Sequence, residues 1–329
     1  MGRTAIRRRD ILMGAAGLFA DMIGSAVASR RMRMGWLSAS TPSTLPGLEL
    51  LLTYLSALGW RAGETLDVVG RQAEGDMARL PRLAAEIVAA HPDVIACTGT
   101  AEASALSVAT TEIPIVFFFV GDPLALGIVN SLARPAGNIT GIAVAAQLLE
   151  GKRLELLVDL LGPSARKFAW LGSSKNPSVN SLWADAVAAA SHLKVDIVRV
   201  DAGSADEIEP AFDSIANQGA SGVVVPFDFL FNAQKQRIIV LAAERRLPTI
   251  YGSRTLTIEG GLVSYGPDLR ENVRRGATYI DSVLKGALPS DLPVYQPSRI
   301  ELVINVQTAK ALGLTIPPAM LLRADEVIE

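Results

Sequence analysis

The feature that most constrains this chain is an uninterrupted apolar run, Ile115–Val120 (IVFFFV), held between Pro114 and Gly121. A strand with one face in water alternates polar and apolar side chains. A strand with no polar position must be covered on both faces, which points to the interior of a parallel sheet. Similar runs recur at 94–98, 167–172, 223–227 and 249–251, and amphipathic helical patterns lie between them. Strands alternating with helices in this way predict an α/β protein whose parallel sheets carry helices on both faces.

Taken in order, residues 33–38 read as the first strand, followed by the polar Ser38, Ser40, Thr41 and Ser43. Leu48, Leu51, Leu52, Leu55 and Leu58 recur at helical steps and stop at Gly59, as a helix with a glycine C-terminus does. A strand at 66–69, a helix through Leu80, Leu83, Ile87 and Val88, and the strand 94–98 come next. A small-residue helix then runs from Thr100 to Thr110. After Ile115–Val120, Asp122 and Pro123 have the cap-plus-first-residue chemistry of a helix start, so a helix is expected through Ile128, Val129 and Leu132.

Beyond Gly141 the same alternation begins again. Helices are expected at 154–161, 179–190, 208–215, 233–246 and 269–284, and strands at 167–172, 195–200, 223–227, 249–251 and 300–306. Ser204 and Glu207 have capping-box spacing ahead of Ile208. Two βα arrays of similar size predict two sheets facing each other across a gap.

The amino terminus carries its own signal. Arg3, Arg7, Arg8 and Arg9 precede the apolar residues 11–20, and Ala26-Val27-Ala28 supplies a small-x-small cleavage pattern. This reads as an export signal at residues 1–28. Arg8-Arg9-Asp10-Ile11-Leu12 also approximates a twin-arginine signal, with Asp21 interrupting the apolar stretch. Removal of this segment would take four arginines and two aspartates with it, shifting the net charge from -2 to -4. That balance gives no electrostatic reason to expect nucleic acid. With one cysteine, Cys97, inside a strand pattern, no internal disulfide can form, and no cysteine stands near the cleavage pattern to take a lipid anchor.

The stretch 113–141 contains V-G-D-P-x-x-x-G-I-V-x-S-L-A-R-P-x-G-N-I-T-G, and here the chain resembles a family of ABC-transporter substrate-binding proteins that includes tryptophan- and tyrosine-binding members. The resemblance covers residues 33–329. It includes Gly35-Trp36-Leu37-Ser38, Ala73-Glu74-Gly75, Arg79-Leu80-Pro81, the run 152–157 (KRLELL), Gly261-Leu262-Val263-Ser264-Tyr265-Gly266, Leu292-Pro293-Val294 and Glu301-Leu302-Val303-Ile304-Asn305. What it implies is a two-lobed type I periplasmic binding fold with three crossings between lobes, near Ala143, Tyr265 and Arg299. One lobe would then hold residues 29–143 and 266–298, the other 144–265 and 299–329.

A pocket for a small zwitterion needs donors for a carboxylate, an acid for an ammonium group and an apolar wall. Thr98, Gly99 and Thr100 precede a helix N-terminus, where free N–H groups favour an anion, and the resemblance points to them and to Ser38. Asp122, Asn176 and Asp228 follow strands and could accept a bond from an amine, although Asp122-Pro123 and Asn176-Pro177 are also good helix starts. Asp228 has no such evident capping role, and Phe229-Leu230-Phe231 beside it could supply an apolar wall. Tyr251 and Tyr265 end strands where the family lines its cleft. Lys152 and Arg153 read as a solvated helix face, and Trp36 and Trp60 as core residues.

No G-x-G-x-x-G after a strand, P-loop, H-E-x-x-H or G-x-S-x-G motif is present, which leaves little machinery for bond-making. No cofactor is expected. The expectation is an exported, periplasmic, monomeric protein that closes two lobes on an amino acid or related carboxylate and presents it to an inner-membrane ABC permease. A ligand-presenting sensor for a membrane receptor is the alternative, and a cytosolic α/β enzyme a more distant one.

Overall fold

The computed structural model describes residues 30–39, 47–144, 149–297 and 299–329. The export-signal reading at 1–28 and the polar run Ser40, Thr41 and Ser43 lie outside the described residues. From Met32 to Glu329 the chain forms one unit, built in chain order from β1 (Met32–Ser38), α1 (Gly47–Ala57), β2 (Leu66–Gln72), α2 (Leu80–Ala89), β3 (Val94–Thr98), α3 (Thr100–Ala109), β4 (Ile115–Val120) and β5 (Ile139–Ala143). These five strands make one wholly parallel sheet in the order β2-β1-β3-β4-β5. Every residue of β3, β4 and β5 is buried, as unbroken apolar strands demand. Cys97, the last residue but one of β3, is wholly buried.

The second half continues with α4 (Leu149–Leu161), β6 (Lys167–Gly172), α5 (Val179–Leu193), β7 (Asp196–Asp201), α6 (Ile208–Asn217), β8 (Gly222–Val225), α7 (Phe229–Ala233), α8 (Lys235–Glu244), β9 (Thr249–Tyr251), α9 (Arg254–Ile258) and β10 (Val263–Pro267). Then come α10 (Leu269–Leu284), β11 (Ile300–Asn305), α11 (Val306–Ala311), α12 (Pro318–Arg323) and β12 (Glu326–Ile328). Seven strands form the second sheet in the order β12-β11-β10-β9-β8-β6-β7, parallel except where β10 meets β11. The architecture is thus α/β with two sheets, each flanked by helices on both faces.

The chain passes between the sheets more than once. After β10, helix α10 leaves the second sheet and packs on β3, β4 and β5 of the first. Gly276 makes this seat possible: a Cβ there would stand 1.9 Å from Phe118 Cε1, a distance no side chain tolerates. Tyr295 then bridges to Ile142 beside β5, its N–H donating to Gly141 O at 2.9 Å and its carbonyl accepting from Ala143 N at 2.9 Å. From there the chain returns to the second sheet as β11. Each sheet has an apolar layer on either side; Leu83, Ile87, Ile95 and Phe117 fill one face of the first, and Met34, Phe118, Val273 and Ile280 fill the other.

One local expectation fails for an identifiable reason. Residues 123–132 do not form a helix. Asp122 caps as expected, its Oδ1 accepting from Ala125 N at 3.0 Å, but Gly127 enters the left-handed region at φ +66 after one turn. Ile128 and Val129 then bond back to Pro123 O at 2.9 and 3.1 Å, a turn closure and not a continuing helix. The helix expected at 233–246 is present as α8, starting at Lys235 because Gln234, at φ -100, ψ 20, separates it from the short α7 that ends at Ala233.

Candidate functional site

Parallel strands that all run the same way bring their C-terminal ends, and the helix starts that follow, to one edge of a sheet; ligands of α/β folds gather there. In this protein the corresponding edges of both sheets enclose a cavity of about 580 Å³. From the first sheet, Thr100, Glu102, Phe119 and Gly121 line it; from the second, Asn176, Ser178, Phe227, Asp228 and Phe229 do.

On the first side, β3 delivers the chain into α3 through Gly99. Gly99 sits at φ +91, and a Cβ there would lie 2.8 Å from both Glu102 Oε2 and Phe229 Cε2. Only glycine allows this combination of backbone and close approach. Behind it, Thr98 Oγ1 donates to Ser38 Oγ at 3.2 Å, and both residues are buried. Thr100 Oγ1 accepts from Gly121 N at 3.3 Å. Glu102, in the first turn of α3, is 2 % exposed and its Oε1 accepts from Ala39 N at 2.7 Å. Burial pushes its carboxyl up to about 7, and the charge of Asp228 across the cavity adds to the rise; the Ala39 N–H and the Thr98 hydroxyl oppose it.

On the second side, Asn176 and Asp228 meet. Asn176 Nδ2 donates to Asp228 Oδ2 at 2.8 Å, while Asn176 Oδ1 accepts from Ser178 N at 2.9 Å. Asp228 Oδ1 accepts from Leu230 N at 2.8 Å, capping α7. The capping role that the sequence did not disclose for Asp228 is therefore present, and the same carboxylate faces the cavity. Burial raises the Asp228 pKa, against the opposing hydrogen bonds from Asn176 and Leu230. Ser178 Oγ, at the start of α5, is buried and has no hydrogen-bond partner among the described residues.

Three aromatic rings close one flank. Phe119 lies 5.9 Å from Phe227 and 6.3 Å from Phe229 between ring centroids, and Phe227 and Phe229 are 5.4 Å apart near a right angle. Edge-to-face contacts of this kind are favourable by about 0.5–1.5 kcal/mol beyond the area they bury. Phe119 itself holds φ +58, uncommon for a side chain of this size, and the register of β4 against β5 shifts at this point. The irregularity turns Phe119 out of the strand's alternation and toward the other sheet.

The floor is ionic. Arg153 donates through Nη1 to Glu150 and through Nε to Tyr265 O at 2.8 Å, and Trp170 Nε1 donates to Glu150 Oε2 at 2.9 Å. Both Glu150 and Arg153 are 1 % exposed, which corrects the expectation of a solvated helix face for Arg153. Burial drives the Glu150 pKa upward and the Arg153 charge resists it.

Of the sequence candidates, Thr100, Asn176 and Asp228 reach the cavity wall. Ser38, Thr98 and Gly99 stand directly behind it. Asp122 is one residue beyond the lining Gly121 and turns its carboxylate to its own loop. Tyr251 is 1 % exposed in one apolar core of the second sheet, and Tyr265 packs against that sheet's other apolar cluster while offering its carbonyl to Arg153. Sequence reasoning missed Glu102, Glu150 and Arg153 as cavity residues, and Phe119 and Phe227 as its wall. A first-turn acid on a helix of small residues was the only hint of Glu102. Among the described residues no group of His, Cys, Asp and Glu could hold a metal ion, and no helix is long and apolar enough to cross a membrane.

The fold has known relatives. Residues 40–328 match the family model of ABC transporter substrate binding proteins. A tyrosine-binding protein of Clostridioides difficile is 28% identical over 258 residues, 78% of this chain and 73% of that one. The crystal structure of a conserved domain protein from Vibrio cholerae superposes with a TM-score of 0.84 at 26% identity, covering 91% of this chain and 100% of the other. A Streptococcus ABC domain in complex with L-Trp superposes with a TM-score of 0.82 at 24% identity over the same shares.

Proposed function

Because the chain belongs to the family of ABC transporter substrate-binding proteins, we propose that it captures an amino acid or related small carboxylate in the cavity between its two sheets and hands it to an ABC importer. The carrying observation is the cavity itself: about 580 Å³, with polar groups and aromatic rings converging from both sheets. That volume is within the ordinary range for a small-molecule site. The tyrosine-binding and L-Trp-bound relatives support an aromatic amino acid, and Phe119, Phe227 and Phe229 offer the wall such a side chain needs.

In this reading Asp228, with Asn176, receives the ligand's ammonium group from one side. The carboxylate turns to the N-terminus of α5, where Ser178 Oγ has a free hydrogen-bonding capacity and the positive end of the helix dipole favours an anion. The lobe that carries the first sheet, residues 29–143 with 266–298, closes against residues 144–265 with 299–329. Differential affinity for the closed arrangement is what lets a permease distinguish loaded from empty protein. No bond is made or broken. Residues 1–28 direct export and are removed near Ala28, so the protein acts in the periplasm, as a monomer, beside an inner-membrane permease.

The test is thermal melting of the chain beginning at Ser29 with a panel of amino acids, aromatic acids and sugars. A ligand at a hundredfold excess over its Kd stabilises by about 2.7 kcal/mol, and a rise of several degrees with an aromatic amino acid is the expected result. A flat panel would refute solute capture.

A further inference from the structure

Glu102 is a buried acid with nothing positive beside it among the described residues. Its Oε1 takes the Ala39 N–H at 2.7 Å, while Oε2 lies at the cavity side of Gly99, near Phe229. The charged and titratable groups around it are known from each neighbouring element. Cys97 on β3 is a buried neutral thiol whose pKa burial pushes well up. Asp228, ahead of α7, adds a negative charge across the cavity. Glu74 is engaged by Arg79, and Asp76 caps the turn after β2. Glu150 and Arg153 on α4 satisfy each other. Lys175, after β6, contributes its charge to Glu207. Residues 40–46 and 145–148, which border this region in sequence, contain no Lys or Arg. Among the described residues Glu102 has no cationic partner.

Burial without a cation disfavours the ionised form of a carboxylate, so below neutrality Glu102 keeps its proton. It becomes favourable to ionise when a cation arrives, and the cavity is where one can arrive. Resting on the reading of this cavity as an amino-acid site, we propose that Glu102 recognises the ligand's ammonium group jointly with Asp228 and gives up its own proton as the ligand binds. The two acids then clamp the ammonium from opposite sheets, Glu102 from the first and Asp228 from the second, so that the positive charge itself bridges the closing halves. The exchange is balanced: one proton leaves the carboxyl for solvent, and one unit of ligand charge replaces it. Since burial and Asp228 push the Glu102 carboxyl to about 7, the linkage operates below neutrality. Affinity for an amine-bearing ligand falls as pH drops from about 7 toward 5, by up to about tenfold per unit for one linked proton. Ligands lacking the amine gain nothing from the ionised form.

The experiment is isothermal titration calorimetry of the chain from Ser29 with L-tyrosine and L-tryptophan and with the propanoates that lack their amino group. Titrations are run near pH 5 and pH 7.5, each in two buffers of different ionisation enthalpy to count protons. The expected result is tight amino-acid binding at the higher pH, at least tenfold weaker binding with net proton release near pH 5, and much weaker binding of the propanoates. Glu102→Gln is expected to bind the amino acids more weakly at the higher pH, to release no proton and to lose the pH slope. Amino-acid binding with no pH slope and no proton release overturns the proposal and leaves solute capture standing, as does a propanoate that binds as well as its amino acid. A slope that persists in Glu102→Gln assigns the proton elsewhere and overturns it too. If no probe binds at either pH, the amino-acid reading and this proposal fall together.

Discussion

Phe229 rests against Gly99. A single Cβ on Gly99 would come within 2.8 Å of Phe229 Cε2 and of Glu102 Oε2, so a residue following the second sheet touches the backbone that turns from β3 into α3 of the first. That contact, with Phe119 edge-on to Phe229 at 6.3 Å between ring centroids, ties the aromatic wall to the acidic one.

Gly99→Ala should therefore act on closure as well as on backbone strain. Gly63, at φ +78 with nothing within 4 Å of its Cβ position, provides the control for strain alone. Gly99→Ala is expected to cost about 1–3 kcal/mol in chemical denaturation, more than Gly63→Ala. It should also weaken ligand binding, with partial recovery when Phe229 is shortened to Leu. Equal effects of the two glycine variants on binding would show that the Phe229 contact is immaterial.

Asp228 combines a helix cap with a cavity-facing charge, and two substitutions separate these. Asp228→Asn keeps an acceptor for Leu230 N but turns an NH2 toward Asn176 Nδ2, so it is expected to cost about 1–2 kcal/mol, while amino-acid affinity falls about tenfold or more. Asp228→Ala also strips the cap and leaves the Asn176 amide and the Leu230 N–H unpaired, at a cost of about 2 kcal/mol or more. Urea unfolding and titration of each variant provide the comparison; an Asn variant with undiminished affinity would remove the charge from the binding account.

The raised carboxyl of Glu102 has a signed consequence for the empty protein. Its folded value of about 7 stands above the ordinary 4.5, so between those values the folded state holds a proton that the unfolded chain has released. Stability contributed by this group is greatest below pH 4.5 and is lost as pH rises to about 7, by roughly 3 kcal/mol at one pH unit per 1.36 kcal/mol. Wild type compared with Glu102→Gln across that window should show the difference growing in favour of the variant as pH rises. A constant difference would mean the carboxyl titrates normally.

Glu150 and Arg153 form a buried pair whose halves depend on each other. Arg153→Met alone leaves the Glu150 carboxyl buried without its cation and is expected to cost about 3–5 kcal/mol. Combining it with Glu150→Gln, which still accepts from Trp170 Nε1, should restore most of that loss. Guanidinium unfolding of the two variants checks it, and a double variant no more stable than the single would show that the pair is not the source of the cost.

What could be read directly was whatever a local period or a short motif encodes. The unbroken run Ile115–Val120 could only be a covered strand, and it is buried along its whole length. The Thr98-Gly99-Thr100 turn, the α3 that follows and the helix at 269–284 were legible for the same reason: their determinants lie within a few residues. Asn176 and Asp228 were reachable because strand tips and loop positions follow from the alternation. The missing helix at 123–132 was decided by one backbone torsion, at Gly127, which composition leaves open.

The sequence alone determined that two βα arrays would be built and roughly which residues would stand at their tips, because burial periodicity and turn chemistry are short-range. Only the tertiary structure decided which tips share a hollow. Glu102 looks like any acid in a helix's first turn until Ala39, Thr98 and Asp228 surround it. Arg153 looks like a solvated base until Glu150 and the carbonyl of Tyr265 take it inside. Tyr251, which by position ought to face the gap, is claimed by the core. The reason is physical: burial and the field of neighbouring charges are sums over atoms brought together from distant parts of the chain, and those sums exist only once the two sheets have been set face to face.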